Sequence, residues 1–592
     1  GNLDRLDELR EIQSRLADPR RITDPEERAA LTRDGRLVVL ITAAIHPTEV
    51  GATLAPLRIA YRLASASDPA SLTILKETVI LIVPSLNPDG VDSVAEWYRA
   101  SLGMPWEGEP PPSLYHHYAG HDLNRDWYAF TQTETVNVVE NVHNVWHPHV
   151  VHDIHQQEPW GPRFFVPPWL DPIEPNVDPL LIAGANALGT SIAWEMQRLG
   201  KMSVTVQAGY DAWAPGRAYS HYHGGVRILS ETASARLATP IEVHRDELRD
   251  RQSWPAGDRT WNQPSPWPGG RWSLSDIVEY MEAGAMALLR TASANREAWL
   301  ESFLTVGESA VSRWPEWPAA WIIPAVGTDP IALAELSRIL HTAEVEIHRA
   351  DDQITAAGDT YAAGTLVVSM RQPYASFAQA MLSPRPYPGG PAYPGGPPRV
   401  PYDATAHNLP LLLGVTAIAI GEMPTGEMTL ITEPEAEPDR HIDGLSGEPG
   451  VFVGLYQSRV PTADEGWTRW LFDRYEIPYA TLHDQEIRQG NLSRRFTSIV
   501  LPSLRPEAME KGWPAGSMPA DYTGGLGAAG LAELTAFVEE GGALVGLGEA
   551  TAYLIEGLDL PVVDRLNGQP QETFLSTGAQ VRLDVDTTTA MG

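Results

Sequence analysis

The stretch Leu37-Val-Val-Leu-Ile-Thr-Ala-Ala-Ile-His46-Pro-Thr-Glu49-Val-Gly51 decides the fold of the first half of this chain. Its apolar run ends just before Pro47, which is typical of a buried strand. From residue 48 to residue 63, apolar residues recur at helical intervals and predict a helix. Ligands of open α/β sheets gather outside the carboxyl ends of the strands. His46, at the end of the strand, and Glu49, at the start of the helix, offer nitrogen and oxygen donors suited to zinc.

A His-x-x-Glu spacing is short, and it also fits a polar loop whose glutamate is favoured by the dipole of the following helix. Four further segments favour a functional site over that alternative. Each contains polar side chains at or after a predicted strand or in a turn, and together they are Leu81 to Gly90 with Asn87-Pro88-Asp89-Gly90, His121-Asp-Leu-Asn124-Arg125, Val150 to Gln157 with His152 and His155, and Gly225 to Ser234 with Glu231. The Asn-Pro-Asp-Gly segment predicts a tight reversal of the chain.

In this order the motifs resemble the zinc metallocarboxypeptidase family, which includes carboxypeptidases A and B. The resemblance covers residues from about 30 to about 300. It implies one zinc ion per chain, held by His46, Glu49 and His155. It also implies that Asn124 and Arg125 hold the terminal carboxylate of a peptide substrate.

The same resemblance implies roles for residues away from the metal. Arg99, which follows the Asn-Pro-Asp-Gly segment, would polarise the carbonyl of the scissile bond, and Glu231 would act as general base and then as general acid. The family also has a mobile tyrosine that contacts the substrate. Tyr210 is nearest to its expected position, and Tyr219 and Tyr222 remain alternatives.

Two histidines on the predicted strand from residue 150 to residue 157 compete for the metal. His152 and His155 are three residues apart, so on a strand they face opposite ways and only one can be a ligand. The family context selects His155. For His152 we expect a core position or a supporting hydrogen bond.

Elementary chemistry agrees with these roles. A catalytic zinc needs three protein ligands and an open position for water, and it lowers the pKa of that water towards about 7. A nearby glutamate such as Glu231 can then take the proton and pass it to the leaving amine. The planar guanidinium of Arg125 can pair with a carboxylate through two hydrogen bonds, which would select a chain end.

The sequence therefore predicts a zinc-dependent metallocarboxypeptidase that hydrolyses C-terminal peptide bonds. A zinc amidase or deacylase acting on small carboxylate-bearing substrates is an alternative, because such substrates suit Asn124 and Arg125 equally. A non-catalytic peptide-binding module is a second alternative. The presence of Glu231 beside a full ligand set favours an enzyme, because a binding module has least need of that carboxylate.

Composition bounds the remaining choices. The chain has 592 residues, 43% of them hydrophobic, which predicts two or three domains. A formal net charge of -33 argues against nucleic acid as a partner, and the apolar runs are too short to predict a membrane span. There is no cysteine, so disulfides and a cysteine nucleophile are excluded. The sequence carries no indication of an oligomeric state.

The first residues form a polar amphipathic segment rather than a charged and then apolar signal. From the resemblance we expect an exported bacterial protein, secreted or periplasmic, whose signal is missing from this chain, with a cytoplasmic location as the alternative. The abrupt ends suggest truncation on both sides.

The chain divides into two parts by pattern. Residues 1–310 are predicted to form a mixed-sheet zinc carboxypeptidase-like α/β domain. Residues 311–592 are predicted to form a second, doubly wound α/β domain similar to the class I glutamine amidotransferase fold, with a Pro/Gly-rich loop at residues 384–401. Because that fold's activity needs a cysteine nucleophile, we expect only a scaffold or substrate-guiding role here.

Overall fold

Three sheets of four or more strands organise the described part of the chain. The structure is a computed structural model, and it describes residues 2–250, 254–313, 316–391, 393–403, 406–433, 440–442, 452–566 and 569–570. The abrupt C-terminal end noted in the sequence lies outside these residues.

The first sheet has six strands and is mixed, as predicted. In chain order its strands are β1 (Leu37–Ala43), β2 (Thr78–Val83), β3 (Val150–Gln157), β4 (Phe164–Phe165), β5 (Val204–Thr205) and β6 (Val226–Ala233). Their spatial order is β2-β1-β3-β6-β4-β5. All neighbouring pairs are parallel except β4 and β6, which are antiparallel.

Helices cover this sheet because its central strands are buried along their whole length. All residues of β1 and β3 are buried, which explains why their sequences are continuous apolar runs interrupted by site residues. The helix Leu274–Ala294 packs on Val50–Ala64 and Pro179–Arg198. The other α-helices of four residues or more in this half are Leu6–Ala17, Pro25–Asp34, Pro69–Glu77, Pro88–Ser101, Thr133–Val138, Tyr219–Tyr222 and Arg296–Ser312. Two small sheets pair Leu170–Ile173 with Asp211–Ala212 and Ile241–Val243 with Gly270–Trp272.

The Asn-Pro-Asp-Gly segment begins a helix instead of reversing the chain. Asn87 is the N-cap of Pro88–Ser101, and its Oδ1 accepts a hydrogen bond of 3.0 Å from the backbone N–H of Gly90. Proline at the first helical position and asparagine before it are helix-start residues as well as turn residues. The predicted reversal is therefore wrong, and the helix carries the following residues away from the end of β2.

The second sheet is antiparallel, so the predicted doubly wound arrangement is wrong for the region from residue 320 to residue 430. Every strand pair in it is antiparallel. In spatial order its strands are Ile418–Ile420, Ala320–Ile323, Leu366–Ser369, His348–Ala350 and Met428–Leu430. A small hairpin of Ile354–Ala356 and Asp359–Tyr361 connects residue 350 to residue 366. A parallel pair of strands would instead need a crossover connection. The helices of this region are Pro330–Thr342, Ala375–Leu382 and Leu409–Leu413.

The third sheet is parallel throughout. Its strands lie in the order Tyr479–Leu482, Val453–Tyr456, Ser498–Leu501 and Ala543–Gly546. Helices follow or separate these strands at Ala463–Arg474, Asp484–Gln489, Pro506–Lys511, Gly527–Glu539 and Ala550–Gly557. Within the predicted second domain, the described parallel strand pairs therefore begin at residue 453, and the likeness to an amidotransferase fold stays a prediction.

The hydrophobic cores divide the chain differently from the predicted boundary at residue 310. One continuous core contains β1 residues such as Leu37 together with Leu336, Leu366 and Phe377 from the second sheet and its helices. The third sheet has a separate core. The first two sheets therefore fold around shared apolar contacts. None of the helices in the described ranges combines the length and apolar character needed to cross a bilayer.

Candidate active site

The predicted site residues meet where three parallel strands run side by side. His46 follows β1 by three residues, and Glu49 directly precedes the helix Val50–Ala64. His155 near the end of β3 is the register partner of Glu231 in β6. Because β1, β3 and β6 are neighbours with the same direction, residues at their carboxyl ends are brought together.

His46, Glu49 and His155 form a compact group of metal-ligating atoms. His46 Nδ1 lies 2.8 Å from Glu49 Oε1, and His155 Nδ1 lies 3.2 Å from Glu49 Oε2. One ligand atom from each residue lies within 4.8 Å of the other two. Both histidines are buried, and Glu49 is partly buried. The group provides the three protein ligands that a catalytic zinc needs.

The second ring nitrogen of each histidine lies within hydrogen-bond distance of an oxygen atom of the protein. His155 Nε2 lies 3.0 Å from Asp153 Oδ2, and His46 Nε2 lies 3.2 Å from the carbonyl oxygen of His121. Asp153 is itself fixed by Thr42 Oγ1 at 3.0 Å and by Arg227. Carboxylates and carbonyls that orient the far nitrogen of a histidine are typical of metal ligands. These residues therefore fit a zinc ion.

The charges around the group also suit a dication. Burial alone would raise the pKa of Glu49, but the neighbouring His46 and His155 outweigh it and lower that pKa to about 2. Burial likewise opposes a charge on His155, but Asp153 and Glu49 outweigh it and raise the pKa of the imidazole to about 10. Two ionised carboxylates thus surround one imidazole, an arrangement that favours added positive charge.

Glu231 lies in a different environment from Glu49. Its side chain is buried, and its Oε1 accepts a hydrogen bond of 3.1 Å from the hydroxyl of Tyr210. Its Oε2 has no hydrogen-bond partner among the described residues. Burial raises the pKa of Glu231 to about 7. A carboxylate with a pKa near neutrality and one free oxygen is suited to general acid–base chemistry.

The three candidate tyrosines are separated by this geometry. Of the three, Tyr210 is the one whose hydroxyl is bonded to Glu231. Tyr219 donates its hydroxyl to Asn144 at 2.7 Å, and Tyr222 is buried in the core. The contact with Glu231 supports the choice of Tyr210.

Asn124 and Arg125 lie on a short 3₁₀ turn, Gly120–Arg125, beside the histidines. Asn124 Nδ2 is 3.4 Å from His155 Nε2. Arg125 Nε lies 2.8 Å from the carboxylate of Asp403, which comes from a distant part of the chain. The predicted carboxylate-binding arginine therefore already holds a carboxylate of the protein.

Two predicted residues lie away from the metal-ligating group or face another way. Arg99 is exposed in the last turn of Pro88–Ser101, and at 1.5 Å per residue the helix takes it roughly 17 Å from its start. This position does not suit the role predicted for Arg99. His152 is buried with its Nε2 2.9 Å from Ser230 Oγ, which agrees with the core position expected for it.

The sequence interpretation missed several residues that shape the site. Asp153 could have been found, because it lies two positions before His155 and residues two apart share one face of a strand such as β3. The ring of His121 stacks on that of His46 at 3.9 Å, and its Nδ1 lies 3.1 Å from the hydroxyl of Tyr115. Nothing local in the sequence marks Tyr115 or Asp403 as neighbours of the site.

Comparison with known families identifies the N-terminal part of this arrangement. Residues 17–157 match the family model described as zinc carboxypeptidase. The matched segment contains His46, Glu49, Asn124, Arg125 and His155. The match supports the predicted likeness to zinc carboxypeptidases for this segment. No curated protein matches the chain.

Solved structures give partial overlaps. A metallo-carboxypeptidase from Burkholderia cenocepacia is 19% identical, with 43% of this chain and 56% of that chain covered and a TM-score of 0.29. A metallo-carboxypeptidase from Pseudomonas aeruginosa in complex with (2-guanidinoethylmercapto)succinic acid is 18% identical, with 46% and 59% covered and a TM-score of 0.30. The chain thus spans less than two thirds of the length of these structures, and overlaps of this extent do not carry their activity over to it. What the comparisons support is that the segment from residue 17 to residue 157 is of the zinc carboxypeptidase type.

Proposed function

We propose that this protein is a zinc-dependent metallocarboxypeptidase that removes C-terminal residues from peptides. The observation that carries the proposal is the compact His46, Glu49 and His155 group beside the buried Glu231. When bound, zinc would supply a Lewis acid that lowers the pKa of water towards about 7 and polarises a carbonyl.

Glu231 is proposed to move the proton in this reaction. Its Oε2 would accept a proton from the attacking water and deliver it to the nitrogen of the leaving residue. The hydroxyl of Tyr210 donates to Oε1 and so fixes which oxygen is presented. Burial keeps the pKa of Glu231 near 7, where both acceptance and release of a proton are feasible.

Arg125 is proposed to recognise the terminal carboxylate of the substrate, with Asn124 beside it. The guanidinium can offer two parallel N–H donors to a carboxylate. Arg99 has no part in this proposal because its helix directs it away. Tyr115 and His121 lie against His46, with ring centres 6.5 Å and 3.9 Å from the centre of its ring.

Mass spectrometry of defined peptides tests the proposal. Zinc-loaded protein should shorten a peptide with a free C-terminus one residue at a time and leave the C-terminal amide of the same peptide intact. Glu231→Gln should abolish shortening while zinc stays bound, and a chelator should abolish it in the wild type.

The matched control is Glu242→Gln, which makes the same chemical change at an exposed glutamate of the strand Ile241–Val243. It should cleave like the wild type. Intact peptides in the presence of bound zinc would contradict the proposal. Release of carboxylates from small N-acyl amino acids in that case would identify an amidase.

A further inference from the structure

The Pro/Gly-rich loop is anchored to the first domain, and the two residues that follow it, Tyr402 and Asp403, contact residues of the candidate active site. Arg385 forms an ion pair with the buried Glu174. Further along, the Tyr387 hydroxyl donates to Asp211 Oδ2 at 3.2 Å, and the backbone N–H of Tyr402 donates to the same oxygen at 3.0 Å. These contacts attach the loop to the first domain on both sides of its Pro/Gly-rich stretch.

The end of this segment contacts side chains already assigned to the site. The ring of Tyr402 meets the ring of Tyr210 edge to face at 4.2 Å. The guanidinium carbon of Arg217 lies 5.1 Å from the centre of the Tyr402 ring and 5.9 Å from that of Tyr210. Tyr402 therefore packs between the tyrosine that bonds Glu231 and a second arginine.

Asp403, the next residue, lies between two arginines. Its carboxylate is 2.8 Å from Arg125 Nε and 3.3 Å from Arg217 Nε. All three side chains are largely buried, with exposed fractions of 23% for Arg125, 11% for Arg217 and 9% for Asp403. Two cations facing one carboxylate are the arrangement that a substrate carboxylate would need.

We infer that Arg125 and Arg217 together form the pocket for the substrate carboxylate, and that Asp403 occupies this pocket as an internal competitor. The inference rests on the proposed function and adds Arg217 as a substrate-binding residue. Asp403 offsets part of the positive charge of these two guanidinium groups, and Asp122 also acts on Arg125. An entering substrate carboxylate has to displace Asp403 before it can pair with both arginines.

Competition of this kind affects binding more than the chemical step. Asp403→Asn removes the negative charge with little change in shape, so KM for a peptide with a free C-terminus should fall by about tenfold, the value of roughly one charged hydrogen bond. The value of kcat should change little, because Asp403 has no contact with Glu231 among the described residues. The C-terminal amide of the peptide should stay intact with this variant, as with the wild type.

Binding of N-acetylglycine to metal-free protein, measured by isothermal titration calorimetry, tests the pocket without turnover. Without zinc, the measured affinity reports binding of the carboxylate to the arginines and not to the metal. Asp403→Asn should bind the probe about tenfold more tightly than the wild type. Adding Arg217→Gln to Asp403→Asn should remove that gain.

Tyr387→Phe is a second variant that leaves Asp403 in place and removes one bond that anchors the loop. It should tighten binding by about twofold to fivefold, because the half-buried Tyr387 hydroxyl supplies only part of the anchoring and the Tyr402 N–H still donates to Asp211. Asp359→Asn, at an exposed position in the second-sheet hairpin, is the matched control and should bind like the wild type. Thermal unfolding of each variant establishes that it is folded.

The outcomes separate this inference from the proposed function. Equal probe affinity in the wild type and Asp403→Asn, or a gain that persists after Arg217→Gln, would overturn the inference even if peptides are cleaved. A gain in probe binding without cleavage of any peptide would support the pocket and contradict the carboxypeptidase activity.

Discussion

Glu231 in the first sheet and Glu335 in the helix Pro330–Thr342 are both buried, with exposed fractions of 7% and 8%. Glu335 meets Arg338, Arg440 and Arg474, each through an N–O distance of 2.8 Å. Despite its burial, these arginines lower its pKa to about 2. Among the described residues, Glu231 accepts a hydrogen bond only from the hydroxyl of Tyr210, and burial raises its pKa to about 7. The surroundings thus turn one glutamate into a fixed anion and leave the other able to exchange a proton.

The partners of Glu335 indicate a structural role for its ionised form. Arg338 also donates to the backbone carbonyls of Ala129 and Phe130 in the first domain. Arg474 is the last residue of the helix Ala463–Arg474, which connects two strands of the third sheet. Glu335 therefore links three parts of the chain, whereas Glu231, within the described ranges, has one neutral hydrogen-bond partner and one oxygen without a partner. We infer a structural role for Glu335 and a chemical role for Glu231.

Replacing Glu231 should give the largest effect. Glu231→Gln is expected to lower kcat/KM for peptide hydrolysis by about three orders of magnitude, within the range of general acid–base catalysis and equivalent to ~4 kcal/mol. The amide keeps the shape of the side chain but cannot accept the proton. Steady-state kinetics on a peptide with a free C-terminus, with zinc content measured in parallel, checks this. Retention of more than a tenth of the activity would place the proton transfer on another group.

Replacing Glu335 should affect stability and spare the chemistry. Glu335→Gln leaves three arginines without their shared carboxylate, and we expect a loss of about 3 kcal/mol in the free energy of unfolding. Urea unfolding followed by fluorescence measures it, with the exposed Glu242→Gln as control. The activity per folded molecule should match the wild type. A loss below ~1 kcal/mol, the value of exposed ion pairs, would remove the structural role.

The two glutamates should give the stability of the metal-free protein opposite dependences on pH. The folded-state pKa of Glu231, about 7, is above its ordinary value of 4.5, so its contribution is full below pH 4.5 and is lost as pH rises through 7. The folded-state pKa of Glu335, about 2, is below 4.5, so its contribution is present above pH 4.5 and is lost as pH falls towards 2.

Urea unfolding at pH 5 and pH 8 in the presence of a chelator measures the first of these slopes. Between these pH values the wild type should lose roughly 2 kcal/mol relative to Glu231→Gln, because only the wild type has a buried carboxyl group to ionise. Parallel curves for the two proteins would mean that Glu231 ionises as readily in the folded state as in the unfolded state.

Local patterns were sufficient to predict much of the first domain. His46, Glu49 and His155 stand at or just after apolar strands, and the parallel order of those strands brings them together. Arg99 was misplaced because Asn87 and Pro88 can begin either a turn or a helix, and here they begin a helix. A choice between these two outcomes depends on the packing of the following residues.

Other features depend on contacts that a sequence pattern does not contain. An apolar run of four residues such as Ala320–Ile323 fits a parallel or an antiparallel neighbour, so the direction of the second sheet could not be predicted. Asp403 reaches Arg125 across 278 positions of the chain. The same holds for Arg440 and Arg474, which reach Glu335 from distant parts of the chain, whereas Arg338 lies on the same helix as Glu335.

The smallest predicted effect concerns the hydrogen bond from Tyr210 to Glu231. Tyr210→Phe removes the hydroxyl that donates to Oε1, and that hydrogen bond lowers the pKa of Glu231 against the effect of burial. Without it the pKa should rise further, so the acid limb of the pH profile of kcat/KM should move to higher pH. The change should reach about tenfold at pH 6, or ~1.4 kcal/mol for one hydrogen bond to a charged group, and decrease at higher pH as Glu231 becomes ionised in both proteins. A uniform loss at all pH values would indicate that Tyr210 acts on the substrate rather than on Glu231. Tyr219→Phe, which removes a buried hydroxyl bonded to Asn144 instead, is the matched control and should leave the profile in place.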